Sequence, residues 1–280
     1  MNEPRRIDHV VVAVRDLARA SAAYERLGFA LTPRAEHPPA MGTANRLAQF
    51  AGRNFIELLE VDRPEGQQPS DRAAKPPRFG FGWENRRFLE RREGLSMLVL
   101  ASTDARADLA ALAAAGAETY APMDFERKAR LPDGQEATVG FSLGFLTDPE
   151  MPELAFFLCQ QHAPQHFWKP AYQRHANGAQ AIRRVFLVAD EPQRHGAALA
   201  RLTGGDARVV EGGIAVACGG GEALVVLRPD AIRDRAPDGV PAPRQGPAFA
   251  GIEIATDAAP PATTPAAAAC GLFIAWRPAG

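Results

Sequence analysis

The sequence lacks most of the features that announce a compartment, a cofactor or a large partner. In its 280 residues there is no apolar run of the ~18 residues that a membrane-spanning helix needs. Met1-Asn2-Glu3-Pro4-Arg5-Arg6 leads into a strand pattern without the apolar stretch of a signal peptide. Cysteine is scarce, with only 3 residues, and Cys159, Cys218 and Cys270 lie far apart and form no CxxC. That spacing excludes a disulfide framework and a zinc ribbon, so the reducing cytoplasm is the expected compartment. Neither sign of charge dominates: 32 Lys and Arg against 33 Asp and Glu give a formal net charge of −1. A coat for nucleic acid or for an anionic membrane needs a large basic excess, so neither partner is expected. No GxGxxG follows a strand, and no P-loop or GxSxG elbow occurs. Gly219-Gly-Gly221 lies between strands and opens no helix, so it is not read as a phosphate cradle. The expected partner is a small molecule; a homodimer is left open.

What is present is an internal repeat. Four strand-like runs each end at an Asp that can open a helix: His9–Asp16, Met97–Asp104, Val185–Asp190 and Ile252–Asp257. An Asp at a helix N-cap accepts orphan backbone N–H groups. Gly28, Gly116, Gly204 and Gly271 follow at similar distances, where glycine takes the left-handed turn that ends a helix. Further strands are expected at 29–32, 46–50 and 54–61 in the first copy and at 118–120, 137–146 and 153–160 in the second. The third copy places them at 208–210, 214–218 and 223–227. Pro265 falls inside the fourth helix, which is expected to be short or broken. Each unit reads β-α-β-β-β, three complete and one truncated. The fold class is α+β, with units paired into curved mixed sheets around a cleft, because one unit alone leaves an apolar face uncovered.

Residues 62–94 interrupt the first pair of units. They hold four prolines, then Phe79-Gly-Phe-Gly-Trp83 and a charged stretch, read as a loop and short helix that either closes over a pocket or is an anchored loop. The proline-rich stretch 228–247 reads as a surface connection.

Several residues carry this pattern toward a family. They are Ile7-Asp8-His9-Val10, Gly42-Thr-Ala-Asn-Arg-Leu-Ala-Gln-Phe50, Asn54-Phe-Ile-Glu-Leu-Leu-Glu-Val61 and Phe157-Leu-Cys-Gln-Gln-His162, running on to His175-Ala-Asn-Gly178. Together they resemble the vicinal-oxygen-chelate superfamily of glyoxalases, bleomycin-resistance proteins and extradiol dioxygenases, in its glyoxalase-like branch. The resemblance implies one domain over 6–180, with units at 6–61 and 95–160 around the insertion, and a worn second pair over 181–280. It also implies a divalent metal (zinc, nickel, iron or manganese) held by the first and last strands of two paired units. His9 and Glu57 fall at those positions in the first unit. In the second unit they map to Met97 and about Ala155, and in the third Arg184 replaces His9, so His162, with His166 one helical turn on, is the candidate for completing the set.

The residues point the same way on their own. His9 and Glu57 lie on strands apolar on both faces, where a carboxylate must be paired, protonated or metal-bound. Without a metal, Glu57 is a candidate general base whose pKa burial would raise. Arg46, beside Asn45, either grips a substrate carboxylate or pairs at the strand end. Arg127 and Arg130, ahead of the Leu131-Pro-Asp-Gly134 turn, either bind an anion or form a solvated cluster. Phe167, Trp168 and Tyr172 are expected at the pocket rim, and Cys159 as an inert buried thiol. Two functions follow. One is a metal-assisted lyase, isomerase or dioxygenase on a small oxygenated molecule. The other is a metal-free sequestering protein.

Overall fold

The structure is a computed structural model that describes residues 3–130, 134–236, 239–258 and 262–279. The first unit runs β1 (Ile7–Val14), α1 (Leu17–Arg26), β2 (Ala35–Glu36), β3 (Thr43–Gln49) and β4 (Phe55–Val61). Asp16 caps α1 by accepting the Arg19 N–H at 2.9 Å, and Gly28 takes a φ of 89° just beyond it. The insertion supplies α2 (Phe81–Arg91). Gly82 is required there, since a Cβ would stand 1.7 Å from the Met41 carbonyl oxygen. The second unit repeats the plan: β5 (Gly94–Ala101), α3 (Ala105–Ala114), β6 (Glu118–Thr119), β7 (Met123–Arg130), β8 (Glu136–Thr147) and β9 (Ala155–Gln161). Asp104 caps α3 through the Ala107 N–H.

After a four-residue α4 (Pro164–Phe167) the chain enters the second half. It contains β10 (Ala179–Val188), α5 (Gly196–Thr203), β11 (Ala207–Val210), β12 (Gly213–Ala217), β13 (Ala223–Leu227), α6 (Pro229–Arg233), β14 (Ala248–Thr256), β15 (Ala262–Thr264) and β16 (Phe273–Pro278). Units one and two form a nine-stranded mixed sheet ordered β2-β3-β4-β1-β5-β9-β8-β6, with β7 paired to β8. Units three and four form a seven-stranded sheet ordered β11-β12-β13-β10-β14-β16-β15. Each is built the same way: two parallel pairs joined through a central antiparallel pair, β1·β5 in one and β10·β14 in the other.

Three local expectations are corrected and a fourth is met. Residues 29–32 form no strand but run beside β3, with Thr32 N–H bonded to the Leu47 carbonyl. β7 occupies a stretch where no strand was expected. Asp190 does not cap α5, because a 3-10 turn over Pro192–His195 intervenes and α5 has no side-chain cap. In unit four the element is cut to a three-residue turn behind Pro265, the shortening expected from that proline, and β15 precedes it.

The two sheets share one core. Val10, Val12 and Val14 of β1, the inner faces of α1, α3 and α5, and Ile182, Val185, Ile252 and Ile254 belong to a single buried cluster. Asn54 ties the halves by accepting the Ile182 N–H and donating to its carbonyl, both at 2.9 Å. The opposite face of the second sheet is filled by Ile232 and Ala236, beside Phe186 and Phe273. The opposite face of the first sheet holds a separate aromatic cluster and a cleft.

Candidate active site

β1 and β4 are adjacent and parallel, with His9 beside Phe55 and Val11 beside Glu57. Strand alternation sends Val10 and Val12 into the shared core and His9, Val11 and Glu57 into the cleft. A register shift between Ile7 and His9 breaks that alternation at Asp8. His9 Nδ1 consequently donates to Asp8 Oδ1 at 2.6 Å, and Asp8 Oδ2 accepts from the Gln161 amide at 3.0 Å. The ring stacks on Phe55, centroids 4.2 Å apart and 14° from parallel. Its Nε2 is thereby aimed at Glu57, 3.5 Å from Oε2.

The other carboxylate oxygen is held from β3. Asn45 Nδ2 donates to Glu57 Oε1 at 2.6 Å and lies 3.2 Å from His37 Nε2. His37 Nδ1 therefore carries the proton and donates to Thr43 Oγ1 at 2.8 Å. His37 Nε2 also stands 3.7 Å from Glu57 Oε1.

These contacts decide the charges. Burial disfavours the His9 imidazolium, but hydrogen bonds and charge from Asp8 and Glu57 outweigh it and raise its pKa. Burial alone would push Glu57 up, as expected from the sequence. Its bonds to His9 and Asn45 and the charge of the imidazoles win, and its pKa is lowered instead. His37 is driven down by burial to about 4. Both shifts favour the imidazolium–carboxylate form of the His9–Glu57 pair, beside an imidazole that burial keeps neutral.

The cleft encloses about 460 Å³, counting its open mouth. Phe55, Phe81, Phe125, Phe141, Phe157 and Phe167 supply its walls. Of the residues expected from sequence, His9, Glu57, Asn45 and Arg127 come together here. The others lie elsewhere. Arg46 faces α1, donating to the Thr32 carbonyl at 2.9 Å and pairing with Glu25 at 3.0 Å. His162 Nε2 bonds to Ser142 Oγ at 2.8 Å, and that hydroxyl spends its proton on Asp124. His166 and Tyr172 line an outer vestibule. Trp168 packs edge-on against Phe55 behind the wall. Cys159 lines the cleft, and burial pushes its thiol well above the usual range. Leu131–Asp133 of the expected turn and the Arg130 side chain lie outside the described residues. Phe81 joins the wall, so part of the insertion does border the pocket.

His37 was not singled out from the sequence. It sits in an irregular Pro-Pro loop, where no periodicity points at it. The strand registers also refine the comparison between units. His9 stands beside Phe55 as Met97 stands beside Ala155, so Phe157, not Ala155, takes the place of Glu57.

The donor set does not fit the divalent metal that the resemblance implied. Asp8 takes one nitrogen of His9, and the single Asn45 amide engages both Glu57 Oε1 and His37 Nε2. Only His9 Nε2 and Glu57 Oε2 remain to converge. Among the described residues, no group of three or more His, Cys, Asp or Glu side chains is arranged to hold a metal ion.

The sequence profile of a glyoxalase-like domain matches residues 7–203, both units of the first sheet and the start of the second. The chain belongs to the glyoxalase-like domain family. Its fold is the paired-unit arrangement of the vicinal-oxygen-chelate superfamily. A hypothetical protein from Staphylococcus aureus is similar over 98% of this chain and 99% of its own, at 14% identity and a TM-score of 0.74. A 4-hydroxymandelate synthase variant from Streptomyces coelicolor is similar over 91% of this chain and 72% of its own, at 15% identity and a TM-score of 0.51. At these identities the likeness is one of fold. No curated protein sequence matches the chain significantly. Among the described residues, no helix is long and apolar enough to cross a membrane.

Proposed function

We propose that this glyoxalase-like cleft acts on a small oxygenated organic molecule by proton transfer, in the manner of an isomerase or lyase. The observation that carries the reading is the buried His9–Glu57 pair, with one carboxylate oxygen fixed by Asn45 and the other facing His9 Nε2 at 3.5 Å at the cleft. Glu57 Oε2 takes a proton from carbon beside a carbonyl. The electron pair of the broken C–H bond forms a carbon–carbon double bond, the carbonyl π pair moves onto oxygen, and the His9 imidazolium beside Glu57 stabilises that charge. In a hydroxycarbonyl compound His9 gives its proton to that oxygen and takes one from the neighbouring hydroxyl while Glu57 returns its proton to the former carbonyl carbon; in an elimination a β-substituent departs with the electron pair of its own bond and takes up the proton from Glu57. Asp8 holds the imidazole by its Nδ1–H, and the phenylalanine walls keep water away from the charged intermediate.

A second reading, capture of a ligand without turnover, draws support from unit two. Met97 and Phe157 stand where His9 and Glu57 stand in unit one, so those two positions of unit two offer neither an acid nor a base.

Exchange of carbon-bound hydrogen in D₂O separates the readings. Chelator-treated protein is incubated with aldehydes, ketones, oxo acids and hydroxycarbonyl compounds, and C–H loss is followed by proton NMR. The first reading predicts exchange on at least one compound that falls by about 100-fold or more in Glu57→Gln. Binding without exchange favours capture. Exchange that needs an added metal ion, or that survives Glu57→Gln, overturns the proposal.

A further inference from the structure

The first cleft leaves two polar groups unmatched, and together they describe what would match them. Arg127 projects from β7 into the wall between the inner cleft and the vestibule, lining both. Other arginines near the cleft mouth have carboxylate partners: Arg34 pairs with Glu36 and Asp62, Arg63 with Glu36, and Arg46 with Glu25. Among the described residues no carboxylate lies within ion-pair distance of Arg127, and none of them accepts a hydrogen bond from it. Burial depresses its pKa despite the more distant charge of Glu57. A half-buried guanidinium without an anion is unfavourable, and its planar fork matches a carboxylate. The second group is the side-chain carbonyl of Asn45. The residue is only 3% exposed and lines the same cleft, yet Oδ1 has no donor. Its orientation is fixed, because the amide nitrogen is committed to Glu57 Oε1. An amide oxygen can only accept, so the missing partner is a donor.

We infer that the cleft takes a compact organic hydroxycarboxylate, its carboxylate on Arg127 and its hydroxyl donating to Asn45 Oδ1. The inference rests on the proposed function and adds the class of ligand. One unpaired cation, with the Glu57 carboxylate in the same space, favours a single negative charge over a phosphate dianion. Apart from Arg127, the Cys159 thiol and the groups bonded around Glu57, the described residues that line the inner cleft are apolar, so the body of the ligand is small and apolar.

The test is binding of 2-hydroxypropanoate, propanoate and propane-1,2-diol to the full chain at neutral pH, by ligand-observed NMR and calorimetry up to about 50 mM. The hydroxy acid is expected to bind at least about tenfold more tightly than either the acid lacking the hydroxyl or the uncharged diol. Arg127→Gln brings the hydroxy acid down to the level of the diol, and Arg127→Lys, which keeps the charge without the fork, falls between. Cooperative thermal unfolding of both variants, with a midpoint at or above that of the wild type, shows that the fold is kept. Equal binding of the diol, binding indifferent to Arg127→Gln, or no binding of the hydroxy acid overturns the inference. If the hydroxy acid fails while Glu57-dependent exchange of uncharged carbonyl compounds persists, the ligand class falls and the proton-transfer reading stands. If it binds and exchange ignores Glu57, the reverse holds.

Discussion

The Asn45 amide donates to Glu57 Oε1 at 2.6 Å and so commits one oxygen of a buried carboxylate to the protein, leaving the other to His9. A carboxylate on a buried strand survives because it is divided in this way. Replacing Asn45 by Ala leaves Oε1 without a donor. Unfolding by urea is expected to show a loss of about 1–3 kcal/mol in stability. A variant as stable as the wild type would mean that the bond contributes nothing.

The neutral His37 makes the fold sensitive to acid. Its pKa falls from 6.5 in the unfolded chain to about 4 in the folded one. Between those values the unfolded chain takes up a proton that the folded chain refuses, so stability falls as pH drops from 6.5 toward 4. The full effect is about 3 kcal/mol at the acid end. His175 and His195 are shifted the same way by burial, and they add to the slope. His37→Gln should therefore flatten the dependence of stability on pH across this window without abolishing it. An unchanged slope would place the acid sensitivity elsewhere.

The halves are joined by a buried acid. Glu222, 2% exposed, accepts the Ile7 N–H at 2.6 Å, the Arg6 guanidinium at 2.7 Å and the Asn54 amide at 3.3 Å. Glu222→Ala strands the Ile7 N–H inside the protein and takes from the Asn54 amide one of its two acceptors. A destabilisation of about 2–4 kcal/mol is expected in urea unfolding, with Glu222→Gln restoring part of it. If Glu222→Ala unfolds like the wild type, the joint is not held at this point.

Much of this architecture was legible in the residues. The Asp16 and Asp104 caps are local chemistry, and local chemistry reads directly from sequence. The same holds for the burial of His9 and Glu57, whose strands are apolar on both faces. Alternation also showed that Arg46 shares a face with Ala48 and Phe50. It could not show that this face looks at α1 and not at the cleft, because which side of a sheet is hollow depends on long-range curvature. β7 did carry a signal: Met123, Phe125 and Arg127 alternate with exposed Asp124, Glu126 and Lys128. Its charged residues concealed the strand, since an arginine occupies an apolar phase. Asp190 followed the pattern of the other caps, but Pro192 imposed a 3-10 turn first. His37 and the shared Asn45 amide are products of tertiary packing, with no period or spacing to mark them. That packing also reversed the expected direction of the Glu57 pKa, because partners outweighed burial.

The central claim is that His9 and Glu57 form a charged pair at neutral pH, poised to exchange a proton. His9, with its pKa raised, contributes stability below pH 6.5 that is lost as pH rises through its folded value. Glu57, with its pKa lowered, contributes stability above pH 4.5 that is lost as pH falls through its folded value. The most direct measurement is a ¹⁵N NMR titration of the His9 ring in the wild type and in Glu57→Gln. The account predicts that His9 titrates above the usual histidine range in the wild type and that its pKa falls once the Glu57 charge is removed. A His9 that titrates at or below the usual range, or whose titration is untouched by Glu57→Gln, would contradict it.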